Sequence, residues 1–301
     1  MSSTDLRTEI RDFLSSRRAR ITPEEAGLPA YGGNRRVTGL RREEVAMLAG
    51  VSVDYYIRME RGSLTGASDS VLDSLAGALK LADAERNHLF ALAHQSHSTP
   101  TRRKRSTANT VRPVLQQVLD AVVDAPAWIR NGRHDILAMN PLARALYSPV
   151  LATPRRPANT TRFVYLEPEA AQEFFVDYDQ ITRDAAAMLR LEAGKSPHDK
   201  ALIELVGELS TQSELFRKHW ASQDVRFHRS GRKRLRHPIV GQLDLDFDFE
   251  AMELPSEPGL QLNIYTAAAG TPTADAIKML ASWAASQKLL PTEQKTADES
   301  R

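Results

Sequence analysis

The sequence predicts a mainly α protein with an α+β second domain, and three observations carry that reading. Up to residue 93, apolar residues recur at helical spacing and no run alternates. Residues 94–112 lose the period, are polar and hold four consecutive basic residues, Arg102 to Arg105, which is the texture of a linker. Beyond them, Leu243 to Glu250 alternates strictly, with Leu243, Leu245, Phe247 and Phe249 on one face and four acids on the other, as a half-buried strand does. The expected organisation is a first domain at 1–93, a basic polar linker at 94–112, a second domain at 113–287 and a polar tail at 288–301. That agrees with 301 residues at about 150 per domain.

Five helices are expected in the first domain. Leu6, Ile10, Phe13 and Leu14 line one face of the first. Residues 21–36 hold two Pro and three Gly and read as a loop. Residues 41–49 and 52–61 are two short helices with Gly50 between them. Ser68 caps a helix over 69–80 with Val71, Leu72, Leu75 and Leu79 inward, and Asp83 opens the fifth, with Leu89, Phe90 and Leu92 inward.

In the second domain, Pro113 starts a helix over 113–124 with Leu115, Val118, Leu119 and Val122 inward. Trp128-Ile129-Arg130 and His134 to Met139 read as strands joined by an Asn131-Gly132 turn. Helices follow at 141–147, 168–193 and 198–221. A basic strand within 226–237 should pair with the acidic one across a turn at 238–242, opposite charges holding the register. A third strand, Leu260 to Ala267, completes an antiparallel sheet, and a helix at 273–287 ends the fold.

Composition narrows the function. The absence of cysteine excludes disulfides, thiol chemistry and Cys-ligated metal clusters. No run of about 18 apolar residues exists and the N-terminus has no apolar signal core, so a cytoplasmic protein without membrane insertion is expected. The net charge of +2 says little, but 31 Arg stand against 9 Lys. Arg excess suits phosphate recognition, and a genome-composition bias accounts for it equally well. His94 and His97 lie in the linker without a matching carboxylate pair, and HExxH, GxSxG, P-loop and GxGxxG patterns are all missing. Neither metal, cofactor nor catalysis is expected.

The decisive stretch is Arg42 to Arg61, REEVAMLAGVSVDYYIRMER. Two short helices that cross closely need a small residue at the crossing, and Ala46 is there. The sharp turn needs a residue that tolerates positive φ, and Gly50 supplies it. Val45, Ala49, Val51, Tyr56 and Met59 are spaced to fill the space between the helices. Ser52 is placed to cap the second one. Val53, Asp54, Tyr55 and Arg58 then point outward near its start, where a helix entering the major groove reads bases. Val53 suits a thymine methyl and Asp54 a cytosine amine. Arg35, Arg36, Arg41, Arg42, Ser52 and Arg61 are the candidate phosphate contacts. The expected partner is double-stranded DNA.

The pattern A-x-x-A-G-V-S-x-x-Y-x-x-x-x-E-R-G resembles the helix-turn-helix of the Cro/CI-type (xenobiotic-response-element) regulators. It departs from them at Tyr56, where a smaller aliphatic residue is usual, and at Val53-Asp54, where amide side chains often read bases. GNRRVTGLRREEVAMLAGVSVDYYIRMERG, followed by HDILAMNPLA, ELSTQSELFRKHWASQDV and HPIVGQLDLDFDFEAMELP, is similar to the MmyB-like regulators over residues 5–270. That resemblance implies a PAS-like second domain with a hydrophobic cavity for a fatty acid or similar lipid-like ligand.

For such a cavity, the candidate lining residues are Trp128, Ile136, Met139, Phe163, Met188, Leu189, Phe216 and Trp220. Asn140, Asn159, Arg162 and Arg190 are the candidate polar anchors for a head group. One helix-turn-helix reads about 4–6 base pairs, too few for a genome, so a homodimer on a palindrome is expected, with half-site centres about 10 base pairs apart or a multiple of that. Two other readings stand beside the sensor. The second domain could serve only dimerisation or protein docking, or it could be a DNA-tethered enzyme.

Overall fold

A computed structural model of the chain describes residues 3–28, 37–97, 111–226 and 230–289. In chain order the elements are α1 (Ser3–Arg20), α2 (Arg42–Leu48), α3 (Val53–Glu60), α4 (Asp69–Ala78), α5 (Asp83–His97), α6 (Pro113–Ala121), β1 (Ala127–Asn131) and β2 (Ile136–Met139). There follow α7 (Pro141–Leu146), α8 (Ser148–Leu151), α9 (Thr160–Leu166), α10 (Pro168–Phe174), α11 (Tyr178–Lys195), α12 (Lys200–Gln212) and α13 (Glu214–Ala221). The last four are β3 (Ser230–His237), β4 (Gly241–Glu253), β5 (Leu260–Thr266) and α14 (Pro272–Leu289).

These elements form two units, Met1–Arg103 with Thr182–Phe227, and Lys104–Ile181 with His228–Arg301. Residues 182–227, which the expected domain at 113–287 includes, lie in the first of these units. Burial goes with that placement. Leu191 and Val225 share one apolar cluster with Ile10, Phe13, Leu89 and Leu92.

The five expected helices of the first unit all form. Gly50 adopts φ +66°, and the Val51 N–H closes the end of α2 on the Ala46 carbonyl at 3.0 Å. Ser52 Oγ accepts from the Tyr55 N–H at 3.2 Å and Ser68 Oγ from the Val71 N–H at 3.4 Å, each satisfying an orphan donor of the helix it opens. Val45, Ala46, Ala49, Tyr56 and Met59 are buried as their spacing required.

Charged side chains also tie α11 and α13 into this unit. Glu9 lies 3.9 Å from Arg190 and 3.7 Å from His88. The Arg190 guanidinium stands 4.1 Å over the Trp220 ring, which stacks on Phe216 at 5.4 Å. Arg17 pairs with Glu85 at 2.9 Å and donates to the Gln223 carbonyl. Gln95 donates to the Gly194 carbonyl.

Burial, with Arg190 and Arg17 adding to it, pushes the His88 imidazole down to about 3. An unfolded histidine takes its proton near 6.5, so between those values the unfolded chain binds the extra proton. The stabilisation is whole above about pH 6.5 and falls as pH drops, by about 1.4 kcal/mol per pH unit. Glu9, raised by burial, titrates in the opposite sense, so the test is a comparison. Urea unfolding of wild type and His88→Leu between pH 7.5 and 5.5 should show a stability difference that moves in the variant's favour on acidification. A difference independent of pH contradicts the burial of a neutral His88.

In the second unit, an antiparallel sheet runs in the order β2-β1-β5-β4-β3. The foreseen charge pairing sets its outer register, with Arg232 opposite Asp248 and Arg234 opposite Asp246. Leu115 and Leu119 of α6 pack with Ile129, Ala138 and Leu260 of the sheet. Helix α14 packs on α7 and β4.

Several local expectations are corrected. Val118 is exposed on α6, because Leu115 and Leu119 already occupy its inner face. The span 168–193 breaks where Phe175 bridges to Leu235 and the Val176 N–H bonds the Arg234 carbonyl at 3.2 Å. The span 198–221 breaks at Ser213, whose hydroxyl caps α13 at the Phe216 N–H, 3.2 Å away. Between β1 and β2 the connection is no two-residue Asn-Gly turn. Asn131 Oδ1 accepts from the N–H groups of Arg133 and Asp135, both at 3.0 Å, and the left-handed residue is His134 at φ 68°. Helices α8 and α9 had no counterpart in the sequence reading.

Candidate nucleic-acid interface and ligand-domain interior

Helix α3 presents Ser52, Val53, Asp54 and Arg58 to solvent, while Tyr56, Met59 and Glu60 are buried behind them. Tyr55 is half-buried against the first unit's core, and the Arg58 guanidinium stands 4.8 Å above its ring centroid. Of the expected phosphate contacts, Arg41 at the start of α2 and Arg61 at the end of α3 are exposed. Arg35 and Arg36 lie outside the described residues.

Arg42 has a partner that sequence reasoning missed. It bonds Glu60, whose other oxygen accepts from Arg18 Nε at 2.7 Å, and the same Arg18 donates to the Leu40 carbonyl at 2.9 Å. Glu60 is only 2% exposed, so this buried carboxylate ties the end of α3 to α1 and to the start of α2. The sequence signal was the Glu of the E-R-G run, at a position too polar for the core it enters.

The twelve residues expected to line a ligand cavity fall in both units. Met188, Leu189, Arg190, Phe216 and Trp220 are in the first, where Arg190 is engaged by Glu9 and Trp220. Trp128, Ile136, Met139, Asn140, Asn159, Arg162 and Phe163 are in the second. Two of its expected anchors serve the fold. Asn140 Oδ1 accepts from the N–H groups of Ala127 and Ala143, and its Nδ2 donates to the carbonyls of Val122 and Ala125, which fills its capacity. Asn159 caps α9 and donates to Arg133 and Asp135. Arg162 lies 3.9 Å from Asp135.

Pairing of Trp128 with Asn263 and of Arg130 with Gln261 puts these four and Tyr265 on one face of the sheet. Trp128 meets Tyr147 at 4.8 Å and Tyr265 at 4.7 Å between ring centroids, and the two tyrosine hydroxyls bond at 2.8 Å. Arg130 donates to Gln261 at 3.1 Å. Burial lowers the Arg130 pKa and raises those of both tyrosines. The Trp128 indole N–H is buried with no hydrogen-bond partner among the described residues. Arg130, Tyr147 and Tyr265 were missed, although the alternation from Trp128 already set Arg130 on the same face. A separate cleft of about 210 Å³ between α6, α7 and α14 is lined by Val122, Val123, Leu142 and Ala284 among others, and by none of the expected ligand residues.

Residues 111–280, more than half of the chain, match the model of the MmyB-like transcription regulator ligand binding domain. Residues 13–89 match the model of a helix-turn-helix domain. No curated protein matches the chain. Among the described residues no helix is long and apolar enough to cross a membrane.

Proposed function

We propose, from the premise that the chain belongs to the MmyB-like transcription regulators, that it binds a palindromic operator as a dimer under the control of a small hydrophobic ligand. That it is a DNA-binding transcription regulator with a ligand-binding domain follows from the two family matches. The observation that carries the finer reading is the outward face of α3, where Val53, Asp54 and Arg58 stand free of the core at the start of a capped helix. Base reading is assigned to these residues, and phosphate contact to Arg35, Arg36, Arg41, Arg42, Ser52 and Arg61. The protein works in the cytoplasm.

The antiparallel strand order, with helices α7 to α13 between β2 and β3 in the chain, supports a PAS-like second unit. Its inner sheet face suits an amphiphile. Trp128, Met139 and Phe163 supply apolar walls, and Arg130, Tyr147 and Tyr265 a polar end. The ligand acts by binding one conformation better than another, and it can shift operator affinity only by that difference.

Two measurements test this. Arg35→Ala should weaken binding to every sequence alike and flatten the slope of log affinity against log salt by about 1. An unchanged slope removes Arg35 from the phosphate set. Organic extract of the purified full chain, analysed by mass spectrometry, should contain a stoichiometric lipid-like species. A clean extract favours the reading in which the second unit only dimerises or docks a protein.

A further inference from the structure

We infer that Tyr55 is a positioning residue for base recognition, holding the Arg58 guanidinium in place to read a guanine. The inference rests on the base-reading assignment of Arg58 and deepens it. Sequence reasoning gave Tyr55 a base contact of its own, and the structure offers it a different task.

Tyr55 and Arg58 are three residues apart and so lie on one helix face. The residue is held at two points. Its side chain packs against the apolar core of the first unit, and its backbone N–H donates to the Ser52 cap at 3.2 Å. The Arg58 carbon sits 4.8 Å above the ring centroid, within cation–π range.

A competing partner is at hand. Asp54 precedes Arg58 by four residues, the spacing of a helical ion pair. Yet among the described residues Arg58 makes no ion pair, and its guanidinium rests on Tyr55 instead. The cation rests against the ring while the Arg58 side chain stays exposed. A guanidinium so held can offer two parallel N–H groups to guanine O6 and N7, and less freedom is lost when the contact forms. Lysine could not replace it, because an ammonium neither stacks flat nor offers a planar pair of donors.

The test uses the full chain and selection from randomised duplexes, with affinities measured for the selected site and its single-base changes. Arg58→Ala should lower discrimination by about 10-fold or more at one guanine per half-site. Tyr55→Leu, which keeps an apolar side chain against the core, should lower discrimination at that same guanine by about 3-fold, with the salt slope unchanged. Tyr55→Phe retains the ring and should behave as wild type. In an Arg58→Ala background, Tyr55→Leu should cost no further discrimination.

Wild-type discrimination in Tyr55→Leu overturns the positioning role, and so does a loss spread evenly over all sequences. A further loss in the double variant also overturns it and gives Tyr55 a direct base contact. An Arg58→Ala protein with unchanged preference overturns the base-reading assignment beneath it, which separates the two failures. Melting temperatures of all variants show whether any effect is one of folding.

Discussion

Glu60→Ala is expected to destabilise the protein by about 3–5 kcal/mol, the cost of removing one partner from a buried ion pair. The carboxylate is 2% exposed and serves two arginines, of which Arg18 has a side chain only 16% exposed. Without Glu60, the Arg18 guanidinium is left in a poorly hydrated site without its carboxylate partner, though it still donates to the Leu40 carbonyl. The loss also reaches function, because Glu60 is the last residue of α3 and links that helix to α1 and α2. Operator binding should fall more than the salt-dependent, non-specific component does, since α3 carries the residues proposed to read bases. Arg42 is half-exposed, so Arg42→Ala should cost only about 1 kcal/mol. Urea unfolding with operator titration of both variants checks the order. Equal effects from Glu60→Ala and Arg42→Ala contradict the buried-carboxylate account.

Gly194→Ala and Gly207→Ala are expected to change stability in opposite directions. Replacing glycine by alanine inside a helix ordinarily stabilises it by about 0.8–1 kcal/mol. Gly207 in α12 should follow that rule, since nothing lies within 4 Å of a Cβ placed there. At Gly194 in α11, the added carbon would stand 2.5 Å from His88 Nδ1 and 2.7 Å from its Cε1. The ring cannot easily retreat, because Phe13 meets it edge-on at 5.0 Å and it is fully buried. Overpacking of this kind costs about 1–3 kcal/mol. Thermal unfolding of the two variants beside wild type decides it. Stabilisation by both substitutions would show that α11 does not pack on His88.

These contacts also mark what the sequence could and could not reveal. The helix-turn-helix was legible because its constraints are local. Gly50, Ser52 and Ala46 each answer a demand made within a few residues. The β3–β4 pairing was legible because alternation and opposite charges act across one short turn. The placement of residues 182–227 was not, since an amphipathic helix declares that it has a buried face and not which surface covers it. Arg190 therefore read as a ligand anchor, while its guanidinium faces Glu9 of α1 at 3.9 Å. The break at Phe175 escaped for a similar reason, because the bridge that ends α10 comes from Leu235, sixty residues on. Among the site residues, Val53 and Arg58 could be placed outward from helical phase alone. Tyr265 needed the pairing of Gln261 with Arg130 to show that it shares the face of Trp128 and Arg130.

The return of residues 182–227 to the first unit has a consequence for the birth of the protein on the ribosome. Residue 103 is synthesised 124 residues before residue 227, the two limits being those of the first unit's segments. At about 5–20 residues per second, that is a delay of roughly 6 to 25 seconds. Until residues 182–227 have been made, the apolar cluster of α1 and α5 lacks Leu191 and Val225. The nascent helix-turn-helix thus passes through an interval when chaperones, or a neighbouring nascent copy, can reach apolar surface that the finished molecule hides. Slower translation through the second half of the message lengthens that interval in proportion.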